Sequence, residues 1–276
     1  MNAATGLTTV LFVPGSRPER TPKALASSAD VVCVDLEDSV PPAQKAQART
    51  AALAAIATGD RRLALRINGV ATRAGLEDLL ALADAKALPE LLFVPMVNSA
   101  AEIGIVVAVL GERAPGIVPL IETVKGLHAA REIASAPGVV AMMFGGGDFA
   151  AELGVELAWE PLLAARSAIV LACAEAGIPA IDVPYIVLDE TAGLLAETRA
   201  AKALGFCAKA AIHPAQLEAI DSVLRATAAE IAEAEEAAKV FAEAAGAAVR
   251  FKGRMLEAPI MRRYQRILAM RSKSDA

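Results

Sequence analysis

The chain has 276 residues, 55% of them hydrophobic and 21% charged, and a formal net charge of −5 at pH 7. That apolar share excludes an intrinsically disordered chain, and the acidic balance excludes a nucleic-acid binder, which needs a basic face to neutralise phosphates. The length allows one large domain or two small ones.

Short apolar runs alternate with longer alanine- and leucine-rich stretches. Read as strands, the runs cover residues 9–14, 31–36, 63–67, 91–95, 118–121, 139–144, 180–183 and 206–212. They lack apolar/polar alternation, so both faces are expected to be covered, as in a parallel sheet. Amphipathic helices are predicted between them, for example over residues 43–57, with Gln44, Lys45, Gln47 and Arg49 on a wet side. Pro18, Pro41, Pro42, Pro161 and Pro214 fall at or before helix starts, where a missing N–H does no harm. Eight strand–helix units in succession predict an α/β chain closed as a (β/α)8 TIM barrel over residues 1–226. From Thr227, a capping residue, the pattern changes: a glutamate- and alanine-rich helix over 228–245, a short turn around Gly253, and a basic helix over 258–271. Residues 227–276 are thus a helical extension surplus to the barrel, expected to act as a lid or to pack on a neighbour.

Cys33, Cys173 and Cys207 stand singly in apolar stretches without CxxC spacing, the pattern of reduced thiols in a cytoplasmic protein. The apolar stretch 91–110 is broken by Pro95, Asn98 and Glu102, so it is not expected to cross a membrane, and no signal peptide is read at the amino terminus.

The polar residues are informative by position. Glu37 and Asp38 follow the second strand, Arg66 ends the third, Glu122 the fifth, Asp148 follows the sixth, and His213 ends the eighth. In a barrel these converge on the carboxy-terminal mouth, where barrel enzymes carry their chemistry. Glu122 and Asp148 are the metal candidates: Mg2+ takes one or two carboxylates and leaves other positions to water and substrate oxygens. The run Gly145–Gly146–Gly147 lets backbone approach. Nearby cysteine and histidine ligands are absent, so zinc is not expected. The alternative for Glu122 is an ion pair with Arg66 or Lys209. Arg66 could grip a substrate carboxylate in two parallel bonds, or pair structurally with Glu37 or Asp38. His213 reads as a loop anchor and His128 as a surface residue. Gly15 and Ser16 precede a predicted helix start, with Arg17, Arg20 and Lys23 adjacent, which suits an anion or simply a solvated charged face. No G-x-S-x-G elbow supports serine-type catalysis.

Together, segments 11–18, 35–40, 65–68, 120–123, 144–148 and 205–214 resemble the CitE-like branch of the HpcH/HpaI aldolase and citrate lyase β-subunit superfamily. The resemblance implies a TIM barrel assembled as trimers or hexamers. It implies Glu122 and Asp148 as Mg2+ ligands and Arg66 as the substrate-binding arginine. Glu37 and Asp38 become acids that hold metal-bound water and orient Arg66. Ser16, Arg17, Arg20 and Lys23 fall in the loop that handles coenzyme A. The implied activity is cleavage of a citryl-, malyl- or citramalyl-CoA thioester to an acyl-CoA and a 2-keto acid. Two positions depart from the family pattern. Met96 follows Pro95 where lysine is common. Glu257 ends Gly253-Arg254-Met255-Leu256-Glu257, where an aspartate usually reaches a neighbouring subunit's site as acid or base. Alternatives are a malyl-CoA-type thioester hydrolase, a CoA-independent keto-acid aldolase and a non-catalytic subunit that binds an acyl carrier.

Overall fold

Side chains alternate along a strand, so in a closed barrel one set points to the axis and the other to the surrounding helices. The computed structural model describes residue 4 and residues 6–271. Its eight barrel strands are β1 (Thr9–Pro14), β2 (Val31–Asp35), β3 (Leu63–Arg66), β4 (Leu91–Val94), β5 (Gly116–Ile121), β6 (Met142–Phe144), β7 (Ala180–Asp182) and β8 (Ala208–Ala211). Each pairs parallel with the next, and β8 returns to β1, closing the barrel expected from the sequence. β6 begins three residues later than expected, because Val139 makes only an isolated bridge to Ile117.

Both strand faces are apolar for the reason anticipated. Val10, Cys33, Ala64, Phe93, Leu120, Met143, Ile181 and Ala210 form one buried cluster along the axis. Their strand neighbours Leu11, Val34, Leu65, Leu92, Ile121 and Ala211 belong to a second cluster that includes the helix residues Ala52, Leu79 and Ile169.

The helical layer is not purely apolar. Asp182 and Lys209 alternate with the axial residues Ile181, Ala208 and Ala210 and so point outward, towards the helices Trp159–Ala176 and Thr191–Leu204. Lys209 Nζ donates to Asp182 Oδ2 at 2.6 Å, to Glu197 Oε1 at 2.7 Å and to the Val183 carbonyl at 2.7 Å. Arg166 Nε donates to Asp182 Oδ1 at 3.0 Å, and the guanidinium carbon lies 4.7 Å from the Trp159 ring centre. Arg166, Asp182 and Lys209 are all 0% exposed, so each charge depends on its partners.

The predicted wet side of the second helix is partly occupied. Lys45 Nζ donates to the Leu36 and Glu37 carbonyls and to Asn68 Oδ1, and Arg49 Nε donates to buried Asp78 at 2.6 Å. Barrel helices lie side by side, so residues on a helix flank meet the neighbouring unit rather than water.

The chain divides into a compact unit ending at Leu224 and a second beginning at Arg225. In the second, Thr227 and Glu230 form a reciprocal capping box that starts the helix Ala228–Glu243. The segment expected to be a simple turn is a hairpin, β9 (Val249–Phe251) with β10 (Arg254–Leu256). Lys252 and Gly253 form its two-residue connection, both at positive φ (45° and 79°), which matches the twist of paired strands. Ala237, Phe251, Leu256 and Met261 make this unit's own core, and Tyr264 in the helix Ala258–Arg271 donates to Glu233 at 2.6 Å.

Lys209→Met leaves Asp182 and Glu197 without their ammonium. Urea denaturation is expected to show a loss of about 3–5 kcal/mol, against under about 0.5 kcal/mol for Met at exposed Lys125.

Candidate active site

One step beyond the axial residues Val10, Cys33, Ala64, Leu120, Met143 and Ala210, the same alternation brings Phe12, Asp35, Arg66, Glu122, Gly145 and Ile212 to the mouth. All six line one cavity of about 450 Å³, which Asp38 and Asp148 also line. The predicted convergence at the carboxy-terminal end is therefore real for Arg66, Glu122, Asp148 and Asp38.

Strand register builds the centre. Asp35 and Arg66 are paired positions on β2 and β3. Arg66 Nε donates to Asp35 Oδ1 at 2.6 Å and Nη2 to Oδ2 at 2.8 Å, a bidentate pair. Nη1 lies 2.8 Å from Glu37 Oε2 and 3.6 Å from Asp38 Oδ2. The Glu37 contact is an ion pair without hydrogen-bond geometry, and that buried oxygen has no hydrogen-bond partner. The guanidinium also sits 5.3 Å from the centre of the Phe12 ring. Asp35 is thus the principal brace of Arg66, added to the contacts with Glu37 and Asp38 that the sequence led one to expect. With Nε and Nη2 bonded to Asp35 and Nη1 in contact with Glu37, a substrate carboxylate has only the remaining N–H groups of Nη1 and Nη2 to bind.

Burial opposes both charges of this pair, yet their mutual hydrogen bonds and attraction outweigh it. Asp35 is held below the usual carboxylate range and Arg66 above the usual arginine range. Glu37 is pushed up to about 8, by burial against the pull of Arg66 and then by Glu122, Asp38 and Asp35.

Glu122 is 3% exposed and is fixed from two sides. Its Oε2 accepts the Met96 N–H at 2.7 Å. Met96 has φ 55°, a left-handed conformation rare for a non-glycine residue, and this aims its N–H into the site. On the other side a Cβ at Gly145 would fall 2.0 Å from Glu122 Cγ, so only glycine admits the carboxylate there. Burial raises Glu122 to about 7, against the Met96 hydrogen bond and Arg66, with Asp148 and Asp38 adding to the rise. Asp148 stands in the first turn of the helix Gly146–Leu153 and is also raised, by burial and then by Asp38.

This pair fits Mg2+. Both side chains offer hard carboxylate oxygens, one is buried against a glycine cradle, and burial first, then neighbouring carboxylates, raises both, a cost that a divalent cation would offset. Among the described residues no group of three or more His, Cys, Asp or Glu side chains is gathered to hold a metal. The alternative pairing of Glu122 with Lys209 is absent, since Lys209 points outward to Asp182 and Glu197.

Other expected residues lie elsewhere. Ser16 Oγ donates to the Ser39 carbonyl at 3.1 Å, while Arg17, Arg20 and Lys23 are exposed, and none of the four lines the cavity. The segments that follow Gly15 and Ser16 are a single 3-10 turn, Pro18–Arg20, and the five-residue helix Thr21–Leu25, too short for the expected helix-terminus anion site. Any anion affinity there rests on the exposed cationic side chains. His213 is the predicted loop anchor, its Nδ1 accepting the Ala215 N–H at 3.2 Å, and His128 is exposed. Glu257 is exposed and follows β10 in the second unit.

A family model described as HpcH/HpaI aldolase/citrate lyase matches residues 8–214. The chain belongs to this family. A second model, a carbon–carbon bond lyase of the TIM-barrel fold, matches residues 165–274. An L-malyl-CoA/beta-methylmalyl-CoA lyase of Cereibacter sphaeroides is 37% identical over 90% of this chain and 89% of its own length. A (3S)-malyl-CoA thioesterase of the same species is 34% identical over 85% and 83%. Among solved structures, protein CitE from Mycobacterium tuberculosis in complex with magnesium, acetoacetate and coenzyme A is 32% identical, with TM-score 0.81 over 98% of this chain and 99% of that one. Among the described residues no helix is long and apolar enough to cross a membrane.

Two contributors in this family member escaped the sequence reading. The Met96 N–H leaves no side-chain signature. Asp35 could have been found, since opposite charges at the last interior positions of adjacent parallel strands predict a pair.

The glycine cradle yields a paired test. Gly145→Ala is expected to displace Glu122 and weaken Mg2+ binding by at least about tenfold, as loss of a ligand's support does. Gly147→Ala, where a Cβ meets nothing within 4 Å, is expected to bind Mg2+ like the parent in calorimetry.

Proposed function

We propose that the chain is a Mg2+-dependent carbon–carbon lyase that cleaves a short 3-hydroxyacyl-CoA thioester to an acyl-CoA and a 2-keto acid. The observation that carries this reading is one cavity holding the Asp35-braced Arg66 beside the Glu122–Asp148 pair. In the reaction the substrate hydroxyl loses its proton and its oxygen becomes the keto oxygen. The electrons of the broken carbon–carbon bond pass to the thioester enolate, and a proton returns to that carbon.

Glu122 and Asp148 would hold Mg2+, which when bound supplies Lewis-acid polarisation of the hydroxyl and keto oxygen. Arg66 binds the substrate carboxylate through the N–H groups that Asp35 leaves unused and sets fixed positive charge where oxyanion character develops, with no reorganisation because Asp35 already orients it. Glu37 and Asp38 complete the acidic surround of Arg66. Ser16, Arg17, Arg20 and Lys23 bind the phosphates of coenzyme A at the rim. Asp35 is a positioning residue.

Hydrolysis of the same thioester is the second reading, favoured by the resemblance to the (3S)-malyl-CoA thioesterase. The three cysteines form no disulfide, which supports a cytoplasmic setting. The proposal extends to assembly: a homo-oligomer, trimer or hexamer, in which residues 227–276 serve as a lid and Glu257 of one subunit acts as acid or base in the next.

Product analysis with malyl-CoA checks the reaction: acetyl-CoA plus glyoxylate is expected, whereas free CoA plus malate would make the protein a hydrolase. Asp148→Asn and Glu122→Gln should each remove Mg2+-dependent turnover in a folded protein. Arg66→Lys should lose about 10²-fold or more in kcat, since an ammonium cannot replace a planar fork.

Subunit sharing is checked by mixing. Glu257→Gln and Asp148→Asn variants, each inactive alone, should recover part of the activity after subunit exchange, because some hybrid sites contain neither change. A strict monomer, or no recovery after verified exchange, would return Glu257 to the role of a surface residue.

A further inference from the structure

The connection from β4 to the helix Ala100–Leu110 carries the Met96 N–H that Glu122 accepts. Met96 holds φ 55° there, a conformation that a non-glycine residue keeps only where its surroundings impose it. One side chain of this connection bonds that residue directly. Asn98 Nδ2 donates to the Met96 carbonyl at 2.8 Å, and Asn98 Oδ1 accepts the Thr123 hydroxyl at 2.5 Å. Thr123 follows Glu122 in the chain. One amide group therefore ties the residue whose N–H holds the carboxylate to the residue next to the carboxylate.

The direction of each bond is fixed by its partner. The Met96 carbonyl can only accept, which turns the amide nitrogen of Asn98 towards it and the amide oxygen towards Thr123. Thr123 Oγ1 already accepts the Gly126 N–H at 2.9 Å, so its own proton is left to donate. Asn98 is anchored in turn. Its N–H donates to Glu102 Oε2 at 3.2 Å, and the preceding residue, Val97, is buried and donates its N–H to the Leu120 carbonyl at 3.4 Å. Alanine at position 98 would keep these backbone ties and lose both side-chain bonds. Residue 96 would then relax towards the negative φ that a side chain prefers, turning its N–H away from Glu122.

We infer that Asn98 is a positioning residue: it holds Met96 in the left-handed conformation that presents its N–H to Glu122, and so keeps that carboxylate in the orientation in which it would take Mg2+. The second half rests on the reading of Glu122 as a metal ligand, whereas the hold on Met96 is measurable without metal.

Calorimetry with Mg2+ and hydrogen exchange at the Met96 amide test it. Asn98→Ala is expected to bind Mg2+ at least about tenfold more weakly, the scale of losing support behind a metal ligand, and to exchange the Met96 amide at least about tenfold faster. Ser99→Ala, in the same connection but with its hydroxyl on Glu102 at 3.3 Å, should match the parent in both. Glycine enters the left-handed region without steric penalty, so adding Met96→Gly to Asn98→Ala should recover at least about threefold of the lost affinity. A general loosening of the connection would not be repaired in this way. Mg2+ affinity or Met96 exchange within about threefold of the parent in Asn98→Ala, or no recovery in the double variant, overturns the inference. Glu122→Gln binding Mg2+ as tightly as the parent would sink the metal reading instead, and the exchange rates, measured without metal, still decide whether Asn98 holds Met96.

Discussion

A strand residue in a closed parallel barrel has two destinations, the axis or the helical shell, and the choice alternates along the chain. The rest of the molecule depends on this constraint. Axial positions below the mouth carry Cys33, Ala64, Leu120 and Met143 and fill the barrel, while the next axial step carries Asp35, Arg66, Glu122 and Gly145. The same two-residue period that packs the interior therefore also delivers the charges. It also fixes the neighbours. The β2–β3 register makes Asp35 and Arg66 adjacent. A backbone bond from Gly145 N–H to the Ile121 carbonyl at 2.9 Å sets the glycine under Glu122.

Two ionic clusters on this framework differ in balance, and the difference separates structure from function. In the helical layer Arg166 and Lys209 meet Asp182 and Glu197, two positive charges against two negative, with three of the four residues fully buried. Such a set satisfies itself and invites nothing further. At the mouth Asp35, Glu37, Asp38, Glu122 and Asp148 face Arg66 alone. Asp35 is held below its usual range by its bonds to Arg66, while Glu37, Glu122 and Asp148 are raised, first by burial and then by neighbouring carboxylates. An unbalanced, partly desolvated acidic group is costly to the isolated fold, and on the proposed reading the cost is offset when a divalent cation enters.

Much of this was legible in the sequence, because the signals are periodic. Eight apolar runs gave eight strands, and polar residues at the run ends marked the mouth. The unread parts are not periodic. Whether Lys45 and Arg49 face water depends on where the next helix lies, and here they bind Asn68 and Asp78. The amino-terminal basic loop looked like a helix start, but its 3-10 turn and five-residue helix offer too short a run of aligned peptides to favour an anion. The tail's turn became a hairpin because Lys252 adopts positive φ beside Gly253, which a lysine seldom signals.

The two departures from the family pattern bear on the chemistry in different ways. At Met96 the group that touches the site is the backbone N–H on Glu122, held by a φ of 55°. That conformation costs on the order of 1–3 kcal/mol in a non-glycine residue, and the surrounding structure sustains it. Its side chain is 39% exposed, so exchanging one side chain for another there leaves the hydrogen bond to Glu122 in place. At Glu257 any contribution must come from the carboxylate itself, and a glutamate carries that group about one bond length further from the backbone than an aspartate does. Proton transfer is sensitive to displacements near 1 Å. A difference of reaction within this family is therefore more readily carried by position 257 than by position 96.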